Sequence, residues 1–128
     1  MFVSDALEIN EKGHLTISGA DTVEIAKEYG TPCIAYSEDS IRENCRAFVR
    51  SIEENYAGKG LVCYASKAFS CLEMCRICKS ENMGLDVVSG GELFTAIKAG
   101  FPMEKVVFHG NNKTKDELLM ALFNNVGR

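Results

Sequence analysis

The sequence predicts an α/β fold in which short strands alternate with helices and build a parallel sheet. Three observations predict it. Short apolar runs alternate with segments whose apolar residues recur at helical spacing. Several helical segments begin with Ser or Thr three residues before Glu, the pattern of a capped helix start. Gly30 and Gly100 stand where two of these segments end. Doubly wound sheets and β/α barrels both fit this alternation.

Length and composition limit the possible functions. The chain has 128 residues, of which 46% are hydrophobic and 25% charged, as in one ordinary globular domain. The net charge of −4 argues against nucleic acid as the main partner. No apolar run reaches about 18 residues, the length of a transmembrane helix, and the start lacks the pattern of a signal peptide. We therefore expect a cytoplasmic protein with no nucleic-acid or membrane partner.

The first part of the chain predicts four elements, which are a hairpin over 7–18, a helix over 22–30, a strand over 33–37 and a helix over 40–56. Apolar and polar residues alternate on both sides of Lys12-Gly13, as in a hairpin. Gly30 ends the first helix, since Pro32 follows it. Ser40 and Glu43 form a predicted capping box at the start of the longest helix.

The second part predicts strands over 60–66, 85–89 and 105–109, each followed by a helix, over 70–82, 90–99 and 115–125. The predicted cap pairs of these helices are Ser70 with Glu73, Ser89 with Glu92, and Thr114 with Glu117. Strand–helix–strand units of this length are right-handed and place their strands in parallel. So few units cannot close an eight-stranded barrel, which takes about 250 residues. We therefore expect the N-terminal part of a longer protein.

Lys67 is the first candidate functional residue, because active sites of parallel α/β folds lie at the C-terminal ends of strands. By strand alternation Lys67 shares a face with Cys63 and Ala65. If that face is a barrel interior, desolvation frees the amine to act as a Schiff-base lysine, and small Ala65 leaves room for a flat ring. The alternative is a surface lysine at a strand end.

Two acidic residues follow on the next predicted strand. Asp86 could hold Lys67 through a charge-assisted hydrogen bond, or it could simply cap a turn. Glu92 is a second candidate, although a capping box with Ser89 would also account for it.

The remaining candidates lie at the same predicted edge of the sheet. His109 follows the third strand together with Asn111 and Asn112, an unusual density of polar groups at the end of a core strand. The pair Gly90-Gly91 could let backbone amides approach an anion, although two glycines alone are a weak pattern.

The six cysteines, at positions 33, 45, 63, 71, 75 and 78, are expected to be reduced thiols. Cys71, Cys75 and Cys78 have the spacing with which radical enzymes hold an iron–sulfur cluster. On a capped helix the same three positions form one apolar stripe, which is the interpretation we favour. No metal is predicted.

Four segments resemble the pyridoxal-phosphate (PLP) decarboxylases with an alanine-racemase-like barrel. Tyr64-Ala65-Ser66-Lys67-Ala68 resembles their lysine motif. Segments 84–93 and 109–114 resemble the second and third motifs of the diaminopimelate decarboxylases within that family. Thr31-Pro32, with the helix start at 41–46, is similar to their N-terminal region.

The resemblance implies that the chain is the N-terminal part of a TIM-like PLP-binding barrel. It implies decarboxylation of meso-diaminopimelate to L-lysine, with Lys67 as the Schiff-base lysine and Ala65, Asp86, Glu92 and His109 at the cofactor. Residues 1–37 would belong to the β-rich domain and 38–128 to the barrel. The family's phosphate loop and pyridinium partner lie on later strands, and a homodimer completes the substrate site. The isolated chain is therefore expected to be inactive.

The resemblance leaves other PLP barrels as alternatives. These are an ornithine- or arginine-type decarboxylase, a racemase, or a small non-catalytic PLP-binding barrel protein. The residues of segments 84–93 and 109–114 favour the diaminopimelate enzymes over the ornithine- or arginine-type decarboxylases and the racemases.

Overall fold

The computed structural model describes residues 4–128, and they form two compact units. The first unit ends at Asn44 and the second runs from Cys45 to Arg128. Helix α2, Glu38–Tyr56, begins in the first and ends in the second. Across residues 4–128, none of the helices is both long and apolar enough to cross a membrane.

The first unit contains a small antiparallel sheet whose strands are β1 (Leu7–Ile9), β2 (Leu15–Ile17) and β3 (Ala20–Asp21). The predicted hairpin over 7–18 is confirmed, with Leu7 opposite Ile17. Its turn is fixed by Asn10, whose Oδ1 accepts hydrogen bonds from the backbone amides of Lys12 and His14, each 3.0 Å long. An Asn side chain commonly organises a turn in this way.

Helix α1, Thr22–Tyr29, follows the sheet at once and confirms the predicted helix. Asp21 caps it, because its side chain accepts from the amides of Val23 and Glu24. The helix ends at Gly30, whose φ of 79° lies in the region that favours glycine.

Two predictions for this unit are wrong. Residues 33–37 do not form a strand; they are mostly exposed, and neither of the two described sheets includes them. The capping box at Ser40 is also wrong, because α2 begins at Glu38 and the amide of Ser40 donates to Ser37 Oγ at 3.1 Å. The serine three residues upstream takes the capping role.

The second unit contains the three predicted strand–helix pairs, which confirms the α/β fold class. In chain order the elements are β4 (Cys63–Ala65), α3 (Leu72–Ser80), β5 (Gly84–Val87), α4 (Gly90–Lys98), β6 (Val106–Phe108) and α5 (Lys115–Phe123). The strands are parallel in the order β4-β5-β6. Arg128 hydrogen-bonds to the other side of β6, through Val106 and Phe108. The described sheet is open, as expected for an incomplete barrel.

Helix α3 begins later than predicted. Cys71, and not Ser70, is its N-cap residue, and Cys71 Sγ accepts from the amide of Met74. Cys75 and Cys78 lie on the buried face of α3, as the predicted apolar stripe requires, whereas Cys71 is only half-buried. Burial raises the pKa of the Cys78 thiol to about 12, and the neighbouring thiols Cys45 and Cys75 add to the effect.

The core of this unit lies between the sheet and the helices. Its largest fully buried side chains are Leu85, Val87, Leu93, Val106 and Cys78. Leu85 and Val87 alternate along β5, so one face of the central strand is sealed against helices. Each such side chain contributes about 1.5–3 kcal/mol of burial free energy, which holds the strand ends in fixed positions.

Candidate functional site

The three parallel strands end at one edge of the sheet. Their register places Ala65 beside Asp86, and Asp86 beside Val107, on neighbouring strands. The segments that follow therefore emerge together, and they contain Lys67, Ser89 and His109. Edges of this kind are where parallel α/β folds bind ligands.

Lys67 lies in a single 3₁₀ turn, Ser66–Ala68, directly after β4. The strand ends at Ala65, so the alternation that would place Lys67 on the face of Cys63 and Ala65 stops short of it. The side chain is exposed, so the expected low-dielectric surroundings are absent from the part of the chain that the structure describes. Lys67 is therefore an accessible amine at the strand edge.

Asp86 faces away from the helices, next to Cys63. Burial raises the pKa of the Cys63 thiol, and the negative charge of Asp86 raises it further. The Asp86 Oδ1 atom is sealed from solvent and has no hydrogen-bond partner within residues 4–128. The expected hydrogen bond to Lys67 is thus not formed here. A buried carboxylate oxygen without a hydrogen bond lowers the stability of a fold, so Asp86 Oδ1 can accept a hydrogen bond from a bound molecule.

Ser66 presents a second unmatched polar atom that the sequence analysis did not single out. The residue is buried, and its Oγ has no partner in the described part of the chain. Two orphaned polar atoms thus lie at the ends of adjacent strands, β4 and β5. Nothing in the sequence marks Ser66, because a serine after a strand usually faces water or caps a helix.

Glu92 caps the start of α4, which was the alternative to a direct role in the functional site. Its Oε2 accepts from the amide of Val88 at 3.0 Å, and its Oε1 accepts from Ser89 Oγ at 3.3 Å. The amide of Glu92 donates back to Ser89 Oγ at 3.3 Å. This carboxylate therefore fixes the turn between β5 and α4.

The start of α4 binds an anion from its own chain. Glu117 Oε1 accepts from the amide of Gly90 at 2.7 Å, which places a carboxylate where the glycine pair suggested an external anion. Hydrogen bonds from Thr114 and Gly90 lower the pKa of the Glu117 carboxyl group. The predicted capping box of Thr114 and Glu117 is confirmed, whereas no pattern in the sequence predicts the contact of Glu117 with Gly90.

The third strand end is polar and open. His109 is exposed, and its amide donates to the carbonyl of Val87 at 3.0 Å. Lys113 lies 5.0 Å from the centre of the Phe108 ring, and its Nζ donates to the Gly110 carbonyl at 2.7 Å. Asn111 and Asn112 are exposed. The structure therefore places His109 at the same edge of the sheet as Lys67, and its ring has no hydrogen-bond partner among residues 4–128.

The cysteine spacing does not assemble a metal centre in the described residues. Within 4–128, His, Cys, Asp and Glu nowhere form a group of three that could hold an ion. Cys71 Sγ caps a helix while Cys75 and Cys78 face the core. The helix-stripe interpretation therefore describes Cys75 and Cys78, whereas Cys71 caps the helix.

Comparison with known proteins adds the family context. Residues 38–128 match the family model described as "Pyridoxal-dependent decarboxylase, pyridoxal binding domain". The chain is 50% identical over 127 residues to the diaminopimelate decarboxylase of Bacillus methanolicus, and 47% identical over 128 residues to that of Bacillus subtilis (strain 168). It covers 29% of the length of each, and these matches cover 99% of this chain.

A solved structure shares the fold. Diaminopimelate decarboxylase from M. jannaschii in complex with L-lysine superposes with a TM-score of 0.85 at 37% identity. The match covers 99% of this chain and 30% of the other. The described strands and helices thus follow the course of one part of a longer enzyme.

Proposed function

Because the chain belongs to the pyridoxal-dependent decarboxylases, through their pyridoxal-binding domain, we propose that it carries the lysine end of a PLP site. The enzyme that contains it would convert meso-2,6-diaminopimelate into L-lysine and carbon dioxide, as a carboxy-lyase. The observation that carries this proposal is the accessible Lys67 amine at the end of β4, in a chain half identical to a diaminopimelate decarboxylase. The L-lysine bound to the solved relative agrees with the proposed product.

The residues present fit a flat, aldehyde-bearing cofactor. Lys67 offers an exposed amine, and Ala65 next to it is small. Asp86 offers a buried carboxylate oxygen that has no partner among residues 4–128, so a donor on a bound molecule would satisfy it. His109 adds an exposed imidazole from the end of β6. Glu92 completes the proposed set at the turn before α4.

These residues have distinct proposed tasks. Lys67 would hold the cofactor aldehyde covalently, and Asp86 and Glu92 would orient the amine with negative charge nearby. His109 would contact the cofactor from the third strand end. When bound, PLP supplies the electron sink for the pair of electrons released as the carboxylate leaves. The protein residues fix which bond is cleaved by holding the substrate in one orientation.

Three further properties are part of the proposal. Residues 1–37 would belong to a β-rich domain and 38–128 to the barrel. The enzyme would be a homodimer, since the family resemblance places a partner subunit at the substrate site. It would act in the cytoplasm.

Borohydride reduction tests the assignment of Lys67. The holoenzyme containing this chain is reduced in the presence of PLP, digested and mapped by mass spectrometry. We expect the pyridoxyl group on Lys67. A label on Lys59 or Lys113 instead would contradict the proposal.

The substrate is tested with the same preparation. Carbon dioxide release is measured with meso-diaminopimelate, L-ornithine and L-arginine. We expect release from meso-diaminopimelate together with formation of L-lysine. Preference for ornithine or arginine would assign the enzyme to another branch of the family.

A further inference from the structure

The turn that leads from β5 into α4 is joined to the first turn of α5 by one hydrogen bond, and its backbone passes close to the backbone of Gly110 after β6. Glu117 Oε1 accepts from the Gly90 amide at 2.7 Å. A Cβ atom on Gly110 would lie 3.2 Å from the carbonyl oxygen of Val88. We name these four residues and Thr114 the turn clamp. It joins the end of β5, just beyond Asp86, to the segment between β6 and α5.

Both carboxylate oxygens of Glu117 are used in the clamp. While Oε1 holds Gly90, Oε2 accepts from the amide of Thr114 at 2.8 Å and from its hydroxyl at 3.1 Å. These donors lower the pKa of the Glu117 carboxyl group, so it is ionised near neutral pH. The charged carboxylate thus connects the turn before α4, through Gly90, with the turn before α5, through Thr114.

Gly90 is shaped for this contact. A Cβ atom there would lie 2.9 Å from Glu117 Cγ and 3.1 Å from Oε1. Real Cβ atoms essentially never lie within about 3.0 Å of another atom, so a larger residue at position 90 would displace the Glu117 side chain. Because Gly90 has no side chain, the start of α4 leaves room for the Glu117 carboxylate.

The clamp acts on the residues of the proposed site. Glu92 Oε2 accepts from the Val88 amide, so Glu92 and Glu117 together hold two amides of one short turn. This turn begins directly after β5, two residues beyond Asp86. A shift of the turn would move the Glu92 carboxylate at once, and it would move Asp86 through the end of the strand.

We propose that Glu117 is a positioning residue for the decarboxylation, because the turn clamp sets where Asp86 and Glu92 stand relative to the Lys67 amine. This inference rests on the proposed function. Misplacement of reacting groups by about 1 Å costs up to about 100-fold in rate. Glu117 itself touches neither the cofactor nor the substrate in this role.

The test uses the holoenzyme that contains this chain, with Glu117→Ala, Glu117→Gln and the control Glu73→Gln. Glu73 is an exposed acid in the first turn of α3 that pairs with the exposed Arg76. We measure kcat, KM, the absorbance spectrum of bound PLP and Tm. We expect Glu117→Ala to lower kcat by up to about 100-fold, with a smaller change in KM, and to alter the spectrum.

The amide side chain of Glu117→Gln keeps one acceptor oxygen, so this variant should recover part of the lost kcat and of the spectrum. Glu73→Gln should match the unsubstituted enzyme. If Glu117→Ala does not fold, Gly90→Ala gives the same readouts, because it displaces the carboxylate without removing it.

Two results are distinguishable. A folded Glu117→Ala or Gly90→Ala variant with unchanged kcat and spectrum, even at lower Tm, overturns the positioning role alone. An unsubstituted holoenzyme that releases no carbon dioxide from meso-diaminopimelate overturns the proposed function, and the positioning role with it.

Discussion

Arg46 on α2 and Glu81 after α3 form a two-point ion pair. Arg46 Nε lies 2.8 Å from Glu81 Oε2, and Nη2 lies 2.8 Å from Oε1. Only 9% of the Glu81 side chain is exposed, so its charge depends on the guanidinium for compensation. The pair connects the middle of α2 to the turn that enters β5.

Replacement of Arg46 by Lys should lower the free energy of unfolding by about 1 kcal/mol, because an ammonium group cannot make both parallel hydrogen bonds. Urea denaturation measures the change. The matched control is Arg76→Lys, whose exposed partner Glu73 makes a pair of little energetic value. Equal stability of Arg46→Lys and the unsubstituted protein would show that the second hydrogen bond contributes nothing.

Gly84→Ala should destabilise the fold by about 1–3 kcal/mol. The new Cβ would lie 2.7 Å from the backbone oxygen of Lys105, which cannot rotate away. In Gly91→Ala the nearest atom is 3.9 Å away, and alanine favours the helix by up to about 1 kcal/mol. Thermal unfolding should therefore shift in opposite directions, and a common direction would disprove the steric argument.

The thiols of α3 should be structural. Cys78→Ser places a hydroxyl in a site with 0% exposure, so we expect a loss of about 1–3 kcal/mol. Cys71→Ser replaces one capping side chain with a better one and should not destabilise. Cofactor binding, measured by PLP absorbance, should survive in both. Folded variants that lose the cofactor would instead indicate a metal or redox role.

Asp21 should make the first unit sensitive to acid. His14 above all, then Asn10 and two backbone amides, lower the pKa of its carboxyl group far below the ordinary value of 3.8. Because the folded pKa is depressed, the contribution to stability is complete above the unfolded pKa and is lost as pH falls through the folded one. Asp21→Asn should flatten the dependence of Tm on pH below about 4, relative to Glu11→Gln. Parallel curves for both variants would contradict the assignment.

The 128-residue chain alone should release no carbon dioxide from meso-diaminopimelate. It spans about 29% of the relatives it matches, and affinity for a cofactor depends on several contacts acting together. A chain extended to the length of the relatives is the control in the same assay. Turnover by the short chain would mean that these three strand ends form a complete site.

Much of the fold follows from local patterns. The three strand–helix pairs are predicted because periodicity and cap pairs such as Thr114 with Glu117 act within a few residues. Neighbouring caps are harder, since Ser37 and Cys71 take the places of Ser40 and Ser70. Tertiary packing decides between adjacent candidates of similar propensity.

The site is less predictable than the fold. The sequence predicts that Lys67 and Asp86 lie near the ends of their strands, but it does not predict the exposure of Lys67 or the unpartnered oxygen of Asp86. The contact of Glu117 with Gly90 joins residues 27 positions apart. In its local sequence, Glu117 resembles an ordinary capping residue, and Gly90 resembles the first residue of an ordinary helix. Only the paired strands bring them together.

The order β4-β5-β6 also determines how far the chain must search in order to fold. Tyr64 pairs with Leu85 and Leu85 with Val106, so both pairings join residues the same short distance apart in sequence. Loop-closure entropy grows only slowly with length, and folding rates rise as contacts become more local. Each strand can thus dock on its predecessor as soon as the intervening helix has formed. Assembly can proceed step by step along the chain, in the order in which a ribosome releases it.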